Sequence, residues 1–275
     1  MKNRHIGSFL VLLIIAVGFS CFADRPYPRR PGRGRGSGRY SPPSTEKPDR
    51  AVLEDRNLVR AEFGGRNGRV QYCRFAENMD MEGAPLLVLI LHGRSGSGGD
   101  NTRQLATPAV KPFLEYVRGK RIKAVFLLPQ CPSGLGWADD DMMALVMEFF
   151  DAQSVEYRVP PEKCLLTGFS MGGGACYPLV AYRPGRFAGI WVVSAGGLPE
   201  MAQGVRGDFY ISNGGEDRVI PVANAERMAA ALRRGGCAVK LEILPGKGHV
   251  DGGHAAYRGK GLDWFFKPAG ARRGP

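Results

Sequence analysis

Downstream of residue 50, short apolar runs alternate with stretches in which apolar residues recur every three or four positions. The runs at 70–75, 86–91, 123–128, 164–168, 188–193, 208–212 and 239–244 predict strands. The periodic stretches near 102–118, 139–153, 171–182, 222–234 and 254–266 predict helices. Strand and helix in turn imply an α/β protein, with a doubly wound, mostly parallel sheet and helices on both faces. Leu86-Leu-Val-Leu-Ile-Leu91 shows no polar alternation, as a central strand covered on both sides requires. No internal repeat or second composition shift interrupts residues 51–268, which predicts a single domain there and a disordered tail at 269–275.

The first fifty residues break this pattern. Lys2 and Arg4, an apolar core over 9–19 and Cys21-Phe22-Ala23 read as an export signal covering 1–23. The core is shorter than the ~20 residues of a membrane span, so export to a periplasmic or extracellular space is expected. Lipid attachment at Cys21 is the alternative processing. Residues 24–50 are Pro, Arg, Gly and Ser with almost nothing apolar to bury, which predicts a disordered tether. That segment holds eight Lys/Arg against three acids. With Lys2 and Arg4 it supplies most of the net charge of +12 and leaves about +5 for the rest, too little to call for nucleic acid. The tether is either a solvated spacer or a contact for an anionic surface such as acidic polysaccharide or lipid headgroups.

In doubly wound sheets the reactive groups sit on loops beyond the carboxyl ends of the strands. Gly168-Phe169-Ser170-Met171-Gly172 joins a strand to a helix there, and Gly-x-Ser-x-Gly describes a turn sharp enough to expose the serine hydroxyl. A serine hydroxyl is a weak nucleophile until an imidazole takes its proton, and the imidazole needs a carboxylate to fix its tautomer. Of four histidines, His5 lies in the signal and His92 suits a structural turn. His249, flanked by Gly-Lys-Gly on a tight loop, is the preferred base over His254, which suits a cap or surface position. Asp217 is better placed than Glu216 or Asp208 to be the acid. Backbone N–H groups of Met171 and Arg94 are the expected oxyanion donors.

Other motifs add less. The glycine-rich loop after His92 lacks the endings of nucleotide loops, and His249-Val-Asp251-Gly-Gly-His254 has no evident third ligand, so neither phosphate nor metal binding is expected. Trp137 either walls an acyl or aryl pocket or packs beneath its loop. Beyond Cys21, five cysteines leave at least one thiol without an intrachain partner, and export permits a disulfide among the others.

The combination Leu91-His92-Gly93, Gly136-Trp137, Gly168-Phe-Ser-Met-Gly-Gly173, Asp217-Arg-Val-Ile-Pro221 and Gly248-His249 resembles the α/β-hydrolase superfamily over about residues 60–268. Within it the chain is similar to the small esterase branch: phospholipase/carboxylesterases, polyhydroxybutyrate-depolymerase-like and feruloyl-esterase-like secreted enzymes, and prolyl-oligopeptidase-like catalytic domains. The resemblance implies Ser170 as nucleophile with Asp217 and His249 as partners, and no cofactor. Many hydrolases of this fold carry a lid after the strand that follows the nucleophile helix. Here only 193–208 is available, which predicts no large lid domain and an open site. The expected substrates are therefore small-molecule, bulky or polymer-linked carboxylic esters. A serine peptidase using the same trio and a non-catalytic binding module on this scaffold are the competing expectations.

Overall fold

The computed structural model describes residues 47–272. The expected signal at 1–23, Cys21, the tether through residue 46 and residues 273–275 lie outside the described residues. The chain enters through α1 (Arg50–Leu53), whose first turn is capped by the Asp49 carboxylate, and a hairpin of β1 (Leu58–Gly65) and β2 (Gly68–Glu77). Strand and helix then alternate: β3 (Leu86–Leu91), α2 (Val110–Gly119), β4 (Ala124–Pro129), α3 (Asp140–Glu156), β5 (Cys164–Phe169), α4 (Met171–Tyr182) and β6 (Gly189–Val193). After β7 (Asp208–Gly214) come α5 (Val222–Arg234), β8 (Ala238–Leu244), α6 (His249–Ala256) and α7 (Gly261–Phe265).

The eight strands form one sheet in the order β1-β2-β4-β3-β5-β6-β7-β8. β1 and β2 are antiparallel to their neighbours, while β4, β3 and β5 to β8 run parallel. Period-two alternation divides the apolar residues between two cores. Leu87, Leu89 and Leu91 of β3 pack with Phe149, Phe150, Tyr177 and Met228 from α3, α4 and α5. Val88 and Ile90 share the other core with Phe113 of α2, Ala256 of α6, Tyr257 just beyond it and Phe265 of α7. The sheet is thus covered on both faces, and β3 to β7 carry all their parallel carboxyl ends to one rim.

Four expectations need correction. β1 has no predicted counterpart: its side chains are never fully buried, so Leu58-Val-Arg-Ala-Glu-Phe-Gly-Gly65 lacks an apolar run. The helix expected near 254–266 is two, α6 and α7, and His249 opens α6 rather than sitting on a loop before it. The tether does not run to Arg50, since Asp49 caps α1 and its carboxylate meets Lys111 Nζ at 2.7 Å. Nor is the tail loose from 269: Ala269–Ala271 make a 3-10 turn and Arg272 is 2% exposed. The Arg272 guanidinium lies over the Trp264 ring and donates to the Phe265 carbonyl, which gives it a slot despite its charge. Between β6 and β7 there is only a 3-10 turn at Pro199–Ala202, so no lid domain is inserted there.

Candidate active site

Ser170 stands between β5 and α4 at φ 54° and ψ −114°, outside the regions an L-residue prefers. The turn holds because Ser170 N–H donates to Val193 O (3.0 Å) and its carbonyl accepts from Gly174 N–H (2.9 Å). The flanking glycines are demanded by close backbone approach. A Cβ on Gly168 would strike the Gly172 carbonyl, and one on Gly172 would strike the Leu91 carbonyl at the end of β3. The loop after β3 and the first turn of α4 are therefore pressed together.

Asp217 arrives on the connection after β7, and His249 as the first residue of α6 after β8. Gly214, at the end of β7, lies against the Lys247 carbonyl, and Glu216 N–H donates to that same carbonyl at 2.9 Å. Gly253 packs on the Phe169 ring, which itself lies 5.3 Å from the imidazole of His249. So placed, His249 Nε2 is 2.9 Å from Ser170 Oγ and Nδ1 is 2.8 Å from Asp217 Oδ2. The other carboxylate oxygen, Oδ1, accepts the N–H groups of Val219 (2.9 Å) and Ile220 (2.7 Å). The Asp217 carboxylate is fully covered while the imidazole keeps 15% exposure. An anionic acceptor on Nδ1 puts the proton there and leaves the Nε2 lone pair for the serine hydroxyl. Chemically, this is an alcohol, a base and an orienting carboxylate in hydrogen-bonded series.

Met171 is the first residue of α4, so its N–H has no acceptor within the helix. Arg94 opens a 3-10 turn, Arg94–Gly96, directly after the loop that touches Gly172. Both expected oxyanion donors are thus on segments in contact beside Ser170. His254 is a half-buried residue further along α6; His249 is the ring bonded to Ser170 Oγ.

His92 is buried and hydrogen-bonded at both ring nitrogens, Nδ1 to Gly93 O (2.6 Å) and Nε2 to Cys131 N (3.0 Å). Burial drives its pKa down to about 4, against the smaller opposing effect of the Gly93 carbonyl. Trp137 corrects the expectation of a pocket wall. It is 1% exposed, donates Nε1–H to His92 O (2.9 Å) and meets the His92 ring edge-on at 4.8 Å. It packs beneath the loop. Cys73, Cys131, Cys164, Cys176 and Cys237 are buried free thiols, and burial pushes Cys73 and Cys131 up to about 12, so neither supplies a thiolate.

Residues that sequence reasoning passed over include Phe169, which seats α6 and the imidazole, and Gln130, whose side chain joins the loops after β3 and β4. Gln130 falls within Pro129-Gln-Cys-Pro132, directly beyond β4.

No family model matches the chain. It is 27% identical over 177 residues to a probable feruloyl esterase C of Aspergillus terreus, covering 62% of this chain and 63% of that protein. A probable feruloyl esterase C of Aspergillus niger is 25% identical over 168 residues, covering 59% of this chain and 60% of that one. The chain thus spans less than two thirds of the length of these relatives. Among solved structures, a thermostable esterase superposes with a TM-score of 0.69 at 19% identity, over 77% of this chain and 63% of that chain. A putative α/β hydrolase from Agrobacterium tumefaciens gives 0.59 at 16% identity, over 75% and 94%. Sheet order, the turn at Ser170 and these likenesses agree: the chain has the α/β-hydrolase fold.

Proposed function

We propose that this chain hydrolyses carboxylic esters through an acyl-enzyme on Ser170. His249 Nε2 takes the hydroxyl proton as Oγ attacks the ester carbonyl, and Asp217 stabilises the imidazolium. The N–H groups of Met171 and Arg94 bind the oxyanion of the tetrahedral intermediate. His249 then gives its proton to the departing alcohol, and a water activated by the same nitrogen releases the acid. The observation that carries this reading is the unbroken Ser170–His249–Asp217 chain on a strained turn. The two named feruloyl esterases support ester over amide chemistry, and the short β6–β7 connection supports an open site for bulky or polymer-linked esters.

An ester panel (acetyl, butyryl, feruloyl, hydroxyalkanoate oligomer) with a peptide amide beside it tests this on the purified chain. Turnover of at least one ester, abolished in Ser170→Ala, is expected. Full activity in that variant ends the proposal, and amide cleavage without ester turnover converts it to a peptidase.

Export and retention at an anionic surface belong to the same reading, and rest on the sequence of 1–50 alone. Deleting residues 24–46 should abolish retention on an acidic polysaccharide column at low salt and leave turnover of a soluble ester unchanged. Equal retention of both forms removes the role of the tether.

A further inference from the structure

We propose that Gln130 is a positioning residue for the oxyanion loop, its buried carboxamide holding residues 94–101 so that the Arg94 N–H faces Ser170. The inference rests on the esterase reading above and deepens it.

Gln130 is the first residue beyond β4 and is 2% exposed. Its Oε1 accepts the Asn101 N–H at 2.7 Å, while Nε2 donates to Gly96 O (3.1 Å) and Asp100 Oδ1 (2.8 Å). Every polar atom of the amide is therefore used, and in one orientation only: oxygen toward an N–H, nitrogen toward two oxygens. Gly96 ends the 3-10 turn that Arg94 opens, so the amide grips that turn from below. Two further bonds run alongside, from Gly98 N–H to Cys131 O and from Cys131 N–H to His92 Nε2, each at 3.0 Å. The approach is close enough that a Cβ on Gly98 would come to 3.2 Å of Gln130 Nε2. The other wall of the loop is fixed by Gly172 against Leu91 O. The loop that carries Arg94 thus runs between the first turn of α4 and the exit of β4, and Gln130 spans the gap beside the His92 ring. An oxyanion donor acts only if it is in place before charge develops, so a loosened loop costs the transition state more than the bound substrate.

Wild type, Gln130→Met, Gln130→Glu and Gly98→Ala are compared for hydrolysis of p-nitrophenyl butyrate, inhibition by an alkyl trifluoromethyl ketone, and thermal midpoint. The ketone carbon bonds to Ser170 Oγ, the hydroxyl proton passes to His249 Nε2, and the carbonyl oxygen becomes the oxyanion.

For Gln130→Met, kcat should fall about 10-fold, less than the 10²–10³ lost when a donor is removed outright, with KM within about 2-fold. The inhibition constant for the ketone should rise by the factor by which kcat/KM falls. In Gln130→Glu only the protonated carboxyl can accept from Asn101 and donate to Gly96 or Asp100. Activity relative to wild type should therefore climb as pH is lowered. Gly98→Ala, on the half-exposed side of the loop, should lose a few-fold in kcat through the displaced amide.

Folded Gln130→Met with wild-type kcat and ketone affinity overturns the proposal. If that variant does not fold, unchanged kcat and ketone affinity in Gly98→Ala overturns it instead. A wild-type chain that hydrolyses no ester takes the functional reading down and this inference with it. An active wild type with indifferent variants removes only the role of Gln130.

Discussion

His92 and His249 stand on the same rim of one sheet, each just past the end of a strand, and each bonded at both ring nitrogens. Their partners make them different molecules. The bonds of His92 go to a carbonyl and an amide of the main chain, in a site that water does not reach, and its pKa is driven to about 4. It is a peg between the loops after β3 and β4, neutral at neutral pH. His249 is bonded to a carboxylate on one side and a hydroxyl on the other, and its side chain keeps 15% exposure. There a positive charge has an anion to meet it. What an imidazole can do thus depends on the group on its far nitrogen more than on its place in the fold.

The sharpest way to break this contrast is to remove each ring in turn. His249→Ala should lower kcat for an ester by on the order of 10⁴-fold or more, since it takes away both the base for attack and the acid for alcohol departure. Its thermal midpoint should stay near that of wild type, because the ring lies at the surface of the site. Steady-state kinetics with thermal melts check both halves. A His249→Ala chain within 10-fold of wild type would sink the assignment of base.

Much of this was legible in the residues. Apolar runs announced β3 and β4 outright, because strands buried on both faces admit little else, and shorter runs announced β5 to β7. The Gly-x-Ser-x-Gly turn, and the appearance of Asp217 and His249 after successive later strands, set out the chemistry in chain order. What stayed hidden depends on partners that no local pattern encodes. β1 is an edge strand half in water, so its alternation is diluted by Arg60 and Glu62. Arg272 looked like part of a loose basic tail, yet the Trp264 ring and a carbonyl give its cation a slot. Trp137 was open between wall and underlayer, and the deciding bond is to a carbonyl 45 residues away. The three donors on Asp217 come partly from its own turn, and Gln130 serves a loop about 30 residues upstream.

The smaller effect concerns His92 and comes through stability. Unfolded, this histidine titrates near 6.5; folded, it does so only at about 4. Between those values the unfolded chain binds a proton that the native chain refuses, so stability rises with pH across the window and is lost as pH falls through it. The slope from one such group approaches about 1.4 kcal/mol per pH unit at most. Other groups contribute to the same slope, so the wild-type curve alone does not isolate it. His92→Gln keeps a donor and an acceptor for Gly93 O and Cys131 N–H but cannot take up the proton. Urea unfolding of both chains between pH 7 and pH 4.5 should therefore give a shallower decline for the variant, the two curves converging as pH falls. Parallel curves would mean that the ring at 92 titrates in the folded chain as it does in water.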